Sequence, residues 1–341
     1  MSFQIILNPL EESKILKEWD RFVLDLPQGN IFQTSYMYRV FAHTKNYEPL
    51  ALLLLDENKS IKASLLAVKQ NFGSKVTRSF SSRSLILGGP LSLNHSATLI
   101  AKLFEKYESL IKNRAIFTEV RNLTEMNNQI GLFAQNGYIF QDHLNIFIDL
   151  TLSEDQLWKK ITSKRRNEIR RASRAGVIFS EIESEEERRG CYIILREVYK
   201  KAKLPLPDFS FFSSAFSFSN DSMGLKVFGA KYESKIIGTI FTLYFRDMIY
   251  DYYAGSLQQY YNKYPNDLIP WELFRWAKNH GYKFFDFGGA GKPDVPYGVR
   301  DYKKQFGGEL VNLGRFRKIH RPLKMRMAEI GFKYWQYLKS I

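Results

Sequence analysis

The feature that most limits what this chain can fold into is an order of elements that occurs twice. Residues 50–70, LALLLLDENKSIKASLLAVKQ, read as two apolar strands around a polar turn, and residues 225–245, LKVFGAKYESKIIGTIFTLYF, read the same way. Each hairpin follows a helix-like aromatic segment, NIFQTSYMYRVF from residue 30 and LPDFSFFSSAF from residue 206. Each leads into a strand ending in glycine, SLILGGP or IYDYYAGS, then a helix, ATLIAKLFEKYESLIKN or NDLIPWELFRWAKNHG, then a further strand, IFTEV or KFFDF. The offset is roughly 170 residues, which is the signature of a duplicated unit rather than of one common hairpin used twice. Helix, hairpin, strand, helix, strand belongs to mixed α/β sheets, so two homologous α/β domains are expected.

The 341 residues, 45% hydrophobic and 15% aromatic, give each half enough apolar surface for its own core. The join is expected at 150/151, with residues 1–150 forming the first domain and 151–317 the second. Around it Ser153 and Gln156 spell a capping box, Ser163 reads as a second helix cap, and Gly176 as a stop. The final segment spaces Leu323, Met327, Ile330, Tyr334, Leu338 and Ile341 as one helical stripe, with Lys324, Arg326, Lys333 and Lys339 for the other side. A helix over 318–341 of this kind either docks on its own protein, completing the first domain, or lies on an anionic membrane surface. The N-terminus lacks a basic, long apolar leader, and no stretch approaches the ~18–20 apolar residues of a span. The lone Cys191 excludes an internal disulfide and reads as a buried structural thiol. The expectation is a soluble protein of a reducing cytoplasm, with room for peripheral contact at the inner face of the membrane; its oligomeric state is not legible.

A formal charge of +15 favours a polyanionic partner, whether nucleic acid, membrane surface or phosphorylated substrate. The helix after Ser163 holds Lys164, Arg165, Arg166, Arg170, Arg171 and Arg174 against Glu168 alone. Helical spacing stacks Arg165 with Ile169 and Ala172 toward the protein, while Arg166 and Arg170 share a neighbouring face. Such arginines either fork onto phosphate or form a solvated basic helix between domains. The glycine-rich stretch FDFGGAGKPDVPYGVRDYKKQFGGEL at 285–310 is not a phosphate loop. The Walker pattern G-x-x-x-x-G-K-S/T would need glycine at Asp286 and a hydroxyl at Pro293, and G-x-G-x-x-G would need glycine at Asp294. Asp286, at the strand end, either presents a carboxylate to a ligand or caps N–H groups of a tight turn at Gly288 and Gly289. The five histidines are scattered without a metal spacing and read as surface or helix-end residues, and no serine-hydrolase elbow is present, so no metal is expected.

Taken in order, LILGGPLS at 85–92, ITSKRRNEIRRASRAGV at 161–177, FDFGG at 285–289 and GVRDYKKQFGGELVNLG at 298–314 resemble the FemABX family over essentially the whole chain. The resemblance implies two tandem GNAT-like domains, the acyl-CoA N-acyltransferase fold in α+β mixed sheets. It also implies transfer of an amino acid from aminoacyl-tRNA to an amine of a peptidoglycan or other cell-envelope precursor, with no cofactor besides that co-substrate. Carried over by position, Lys303 matches the motif lysine, which would steady the tRNA acceptor end or a developing oxyanion. Tyr302 and Phe306 would wall it. Arg165 or Arg166 matches the basic-signature arginine, a phosphate clamp, and Asp286 would orient or deprotonate the acceptor amine. Arg170, Tyr253 and Arg300 are further substrate-contact candidates. Two departures stand out: the long helical arm that some members insert is missing, and KAKLPLPDFSFF at 201–212 lacks the arginine-rich wording of precursor binders.

The competing enzyme reading is an acyl-CoA-dependent N-acyltransferase acting on an amino sugar or exopolysaccharide precursor. Pyrophosphate binding in that fold needs glycines that bare the helix N-terminus; QQYYNKYP before the second helix has none, and LNHSATL in the first half is no better. A non-catalytic RNA- or membrane-binding protein, using the glycine-rich basic hairpin at 288–308, is the third class.

Overall fold

The computed structural model describes residues 3–71, 81–126, 129–327 and 330. The chain divides into two units, Met1–Asp142 with Leu313–Ile341, and His143–Asn312. The first unit runs β1 (Gln4–Leu7), α1 (Ile15–Asp25), α2 (Ser35–Ala42), β2 (Tyr47–Leu55), β3 (Ile61–Gln70), β4 (Arg83–Leu87), β5 (Leu91–Ser92), α3 (Ala97–Ile111), β6 (Phe117–Arg121), α4 (Ile130–Gln135) and β7 (Ile139–Gln141). The second runs β8 (Leu144–Asp149), α5 (Glu154–Lys160), α6 (Ser163–Arg174), β9 (Ile178–Glu181), α7 (Glu185–Lys201), α8 (Phe209–Ser217), β10 (Met223–Tyr232), β11 (Lys235–Phe245), β12 (Met248–Ser256), α9 (Pro265–Asn279), β13 (Phe284–Gly289), α10 (Gly298–Lys304) and β14 (Glu309–Asn312). The chain then returns to the first sheet as β15 (Arg315–Ile319).

The sheet orders are β1-β2-β3-β4-β6-β15-β7, with β5 beside β3, and β14-β8-β13-β12-β11-β10-β9. Read from the β1 and β9 edges they match strand for strand, each with a parallel pair at the same place, β4 with β6 and β12 with β13. The mixed α/β class and the tandem GNAT-like arrangement expected from the repeated order are both present. β8 and β15 take the same seat in opposite sheets, each between two antiparallel neighbours. This seat moves the divide to 142/143 and 312/313, away from the expected 150/151 and 317. β15 joins the first sheet, and the segment after it belongs to the same unit; its described part, residues 322–327, is helical, with Leu323, Met327 and Ile330 80%, 58% and 59% exposed. Tyr334, Leu338, Ile341, Lys333 and Lys339 lie outside the described residues.

Each sheet buries alternate residues against its helices, as period-2 strands over an amphipathic helix require. In the first unit Leu52, Leu65, Ile86, Phe104, Tyr107, Phe133 and Phe316 form a continuous core. In the second, Ile146, Phe228, Ile240, Phe274, Phe285 and Phe306 do so. Cys191 is fully buried, and burial pushes its thiol up to about 11, as an inert structural thiol requires. The Ser153–Gln156 capping box forms. The next cap falls on Thr162, not Ser163, which is the first helical residue; Gly176, at φ +79°, ends the helix. His320 departs from the expected surface position: its side chain is 1% exposed and sits 2.8 Å from Thr118 Oγ1.

The F-G-G of the closing motif has a structural explanation. Gly307 adopts φ +85°, and a Cβ there would stand 2.5 Å from Lys160 Cβ and 2.8 Å from its carbonyl oxygen; one at Gly308 would stand 2.4 Å from Ile146 Cγ2. Both glycines let the chain pass between α5 and β8. Gly307→Ala therefore combines left-handed strain with overpacking and should cost about 2–4 kcal/mol in urea unfolding. Gly176→Ala, equally left-handed but with nothing within 4 Å, should cost only about 1–2 kcal/mol. Equal costs would contradict the close-approach explanation.

Candidate active site

The site originates in a defect of the second sheet. β12 and β13 are paired over three rows only, Met248 with Phe284, Ile249 with Phe285 and Tyr250 with Asp286. Beyond them β12 stays with β11, through a bulge at Tyr252 between the pairs Thr242–Asp251 and Phe241–Tyr253. β13 leans to β8, reaching the pair Gly289–Asn145. The strands part at Asp251 and Phe287, and a cavity of about 500 Å³ opens there. Parting strands leave backbone groups without sheet partners, which other donors must satisfy.

One such donor is Lys303. It projects from α10 into the cavity, and its Nζ donates to the Phe287 carbonyl oxygen. Asp251, Thr239, Tyr199 and Tyr302 are among the cavity's other polar lining residues, and Val198, Ile240 and Ile269 are among the apolar ones. Burial pushes the Asp251 carboxyl above its ordinary value, and the Lys303 charge opposes that shift. Burial, with Asp251 adding, likewise raises the Tyr199 phenol. The Tyr302 phenol is held well above the usual range, chiefly by burial; its hydroxyl donates to the Asn266 carbonyl and its ring lies 4.8 Å beneath the Arg165 guanidinium. The arrangement offers a proton acceptor and a fixed cation facing one apolar chamber, which suits transfer of an acyl group to an amine.

The remaining sequence candidates occupy other positions. Asp286 is 2% exposed and lies behind the cavity wall. Its Oδ1 accepts the Gly288 N–H at 2.6 Å and the Asn145 amide at 3.4 Å. Burial raises its carboxyl to about 6, with the Gly288 bond and Lys303 opposing. It therefore caps the turn that Gly288, at φ +72°, makes out of β13. Arg165, expected as a phosphate clamp, has its donors taken inside the unit, by Asp267 at 2.5 Å, Glu168 at 2.8 Å and Gln305 at 3.1 Å. Arg166 donates to the carbonyls of Trp158 and Lys159, closing the end of α5. Arg170 is exposed, its guanidinium 5.2 Å from the Trp158 ring centroid. Phe306 is a core residue, 2% exposed, packed on Tyr302, Phe274 and Phe287. Tyr253 packs among Tyr199, Phe212 and Tyr252. Arg300 holds the loop before α10, donating to the carbonyls of Ala290, Lys292 and Val295. Of the candidates, then, Lys303 and Tyr302 meet in the cavity. Asp251 and Tyr199 join them without having been picked out in the sequence. For Asp251 the signal was a lone acid within the aromatic strand IYDYYAGS; for Tyr199 there was none. Among the described residues no three His, Cys, Asp or Glu side chains converge as a metal site would require.

Residues 159–304, which span this cavity, match the acetyltransferase (GNAT) domain family. The chain is 24% identical, over 309 residues covering 83% of it and 86% of the relative, to a UDP-N-acetylmuramoylpentapeptide-lysine N(6)-alanyltransferase of Weissella viridescens. A crystal structure of FemX superposes with a TM-score of 0.69 at 13% identity, covering 96% of this chain and all of that one. A tandem GNAT protein from the clavulanic acid biosynthesis pathway superposes at 0.59 with 8% identity, over 94% and 99% of the two chains. The tandem fold, the strand-split cavity and these similarities agree on an amide-forming acyltransferase of tandem GNAT-like fold, similar in sequence and structure to the FemABX transferases.

Proposed function

We propose that the protein moves an aminoacyl group from aminoacyl-tRNA to a free amine of a peptidoglycan or related cell-envelope precursor. The observation that carries this reading is the facing of Lys303 and Asp251 in one cavity at the parting of β12 and β13. The acceptor amine attacks the ester carbonyl, a C–N bond forms and the C–O bond to the ribose breaks. Asp251 takes the proton released by the amine. Lys303 stabilises the oxyanion and supplies a proton to the departing ribose oxygen, and a proton passing from Asp251 to Lys303 restores both groups. The similarity to an enzyme named as an alanyltransferase on a pentapeptide lysine supports the acceptor class.

The tRNA donor is supported by charge in the same unit. On α6, Lys164, Arg170, Arg171 and Arg174 are exposed, and Arg171 lies 5.0 Å from the Tyr264 ring centroid. A row of exposed cations over aromatic rings suits a phosphodiester backbone. A coenzyme A donor is disfavoured by the start of α9. There Tyr264 is the left-handed cap residue, and Asp267, in the first turn, is 5% exposed and paired with Arg165. An incoming pyrophosphate would meet a carboxylate where it needs bare N–H groups.

Incubation with a radiolabelled aminoacyl-tRNA pool and cell-envelope precursors should give label in an RNase-resistant product. Label arriving only from acetyl-CoA would overturn the donor assignment. Lys303→Ala and Asp251→Asn should each lower kcat by about 100-fold or more, the aspartate variant with the unfolding midpoint nearly unchanged and the lysine variant with a loss of about 1 kcal/mol, because the Phe287 carbonyl loses its donor. Full activity in either variant would remove that residue from the chemistry.

Asp286 should act through stability instead. Its carboxyl, near 6 folded against an ordinary 3.8, binds its proton more tightly in the folded state. Its stabilising share is thus complete below the ordinary value and is lost as pH rises through 6. Asp286→Asn keeps the acceptor for Gly288 without a buried charge, so its stability advantage over the parent protein should widen by about 1 kcal/mol between pH 5 and 7.5. Urea midpoints read this directly, and an advantage that narrows with pH would refute it.

A further inference from the structure

The aromatic segment LPDFSFFSSAF, which precedes the second hairpin, lines no part of the chamber and builds a second cavity instead. α8 carries Phe209, Phe212 and Phe216 at helical spacings of three and four, so the three rings share one face. With Leu225 of β10 and Phe241 of β11 they enclose about 310 Å³. Glu185 and Arg188, one helical turn apart on α7, line the same cavity. Among the described residues the two cavities share no lining residue, and Arg188 lies about 15 Å along α7 from Val198 of the chamber wall. The cavity is graded from polar to apolar. Glu185 stands at the open end, its side chain 62% exposed, while Phe212, Leu225 and Phe241 are buried. The Phe212 and Phe241 rings, 4.7 Å apart, form the apolar floor.

The Arg188 guanidinium lies 3.5 Å from the Phe216 ring centroid, and its Nη1 donates to the Glu183 carbonyl. Stacked and tethered in this way it keeps a fixed orientation, and its other N–H groups make no hydrogen bond among the described residues. Glu185 accepts Arg189 Nε and Nη2 on one oxygen, Oε1, at 3.0 and 2.6 Å, which leaves Oε2 for a second donor. A volume near 310 Å³ falls at the small end of the range for ligand sites, about 300–1,000 Å³, and suits a single small molecule. Charge decides its class. A hydrocarbon would leave both ionic groups unused, a simple anion would meet Glu185, and a simple cation would meet Arg188. A zwitterion with an apolar tail answers all three features, its ammonium on Glu185, its carboxylate on Arg188 and its side chain against the rings.

We propose that this cavity binds a free α-amino acid with a bulky apolar side chain, at a site separate from the transfer chamber. The proposal goes beyond the transferase reading and stands without it. The full chain is titrated calorimetrically with L-phenylalanine and L-leucine, and with three partial ligands: 3-phenylpropanoate, which lacks the ammonium, phenethylamine, which lacks the carboxylate, and glycine, which lacks the side chain. At least one of the two amino acids should bind saturably, and about tenfold or more tightly than each partial ligand, the worth of one charge-assisted contact or of the buried side chain. Arg188→Gln should weaken that binding about tenfold or more, and Glu185→Gln is the second variant, directed at the ammonium. Asp251→Asn, in the chamber, should leave it unchanged. Absence of saturable binding by either amino acid overturns the proposal, as does a partial ligand that binds as tightly, or binding indifferent to both α7 variants. Binding lost in Asp251→Asn but kept in the α7 variants would place the amino acid in the chamber and overturn it equally.

Discussion

Two parallel strands that pair for three rows and then separate are the constraint on which the second unit depends. Had β12 and β13 remained paired, Asp251 and the Phe287 carbonyl would lie inside a closed sheet and no chamber would exist. The separation is held from both sides. Asp286 binds the Gly288 N–H at 2.6 Å and bends β13 away, while the Tyr252 bulge keeps β12 on β11. Lys303 then satisfies the carbonyl that the separation frees. The same lysine that holds this carbonyl is the one proposed to stabilise the oxyanion, and its ammonium is already fixed in place by the fold, the form of preorganisation that electrostatic catalysis requires.

The first unit repeats the topology but fills the corresponding place. Gln33 donates to the carbonyls of Leu66 and Leu87 and accepts the Leu66 N–H, tying the end of β4 to β3. Asn30 reaches the Gly88 carbonyl at 2.6 Å, and a Cβ at Gly89 would stand 2.3 Å from the Gln33 amide carbon. The repeated scaffold thus differs at this place: β12 and β13 part after three rows beside a lysine and an aspartate, while β4 and β6 stay paired over five rows and the Gln33 amide ties the end of β4 to β3. β8 and β15 occupy equivalent positions in the two sheets, so the first sheet receives β15 from a segment that follows the whole second unit in sequence.

Much of this was legible in the residues, and what was not has physical reasons. The repeated order of elements depends on local periodicity and turn residues, which sequence carries plainly, so the tandem fold could be read from two hairpins 175 residues apart. The seats of β8 and β15 could not, because which strand fills a sheet position is decided by long-range pairing that leaves no local mark. Lys303 was found through its motif. Arg165 shares a motif with equal clarity, yet its guanidinium is spent on Asp267, Glu168 and Gln305; a basic signature reveals charge but not whether the charge is already paired. Asp286 and Asp251 illustrate the same limit in reverse. Both are acids at the parted strands, and only the three-row register shows which one caps the turn and which one faces the chamber.

The central claim is that the acyl carbon reacts between Lys303 and Asp251. The most direct measurement is a crystal structure of the protein with an aminoacyl adenosine whose ester is replaced by an amide. The account predicts the carbonyl oxygen within hydrogen-bonding distance of Lys303 Nζ and the acyl carbon inside the chamber at the parting of β12 and β13. An analogue bound elsewhere, with the chamber holding only water, would contradict it.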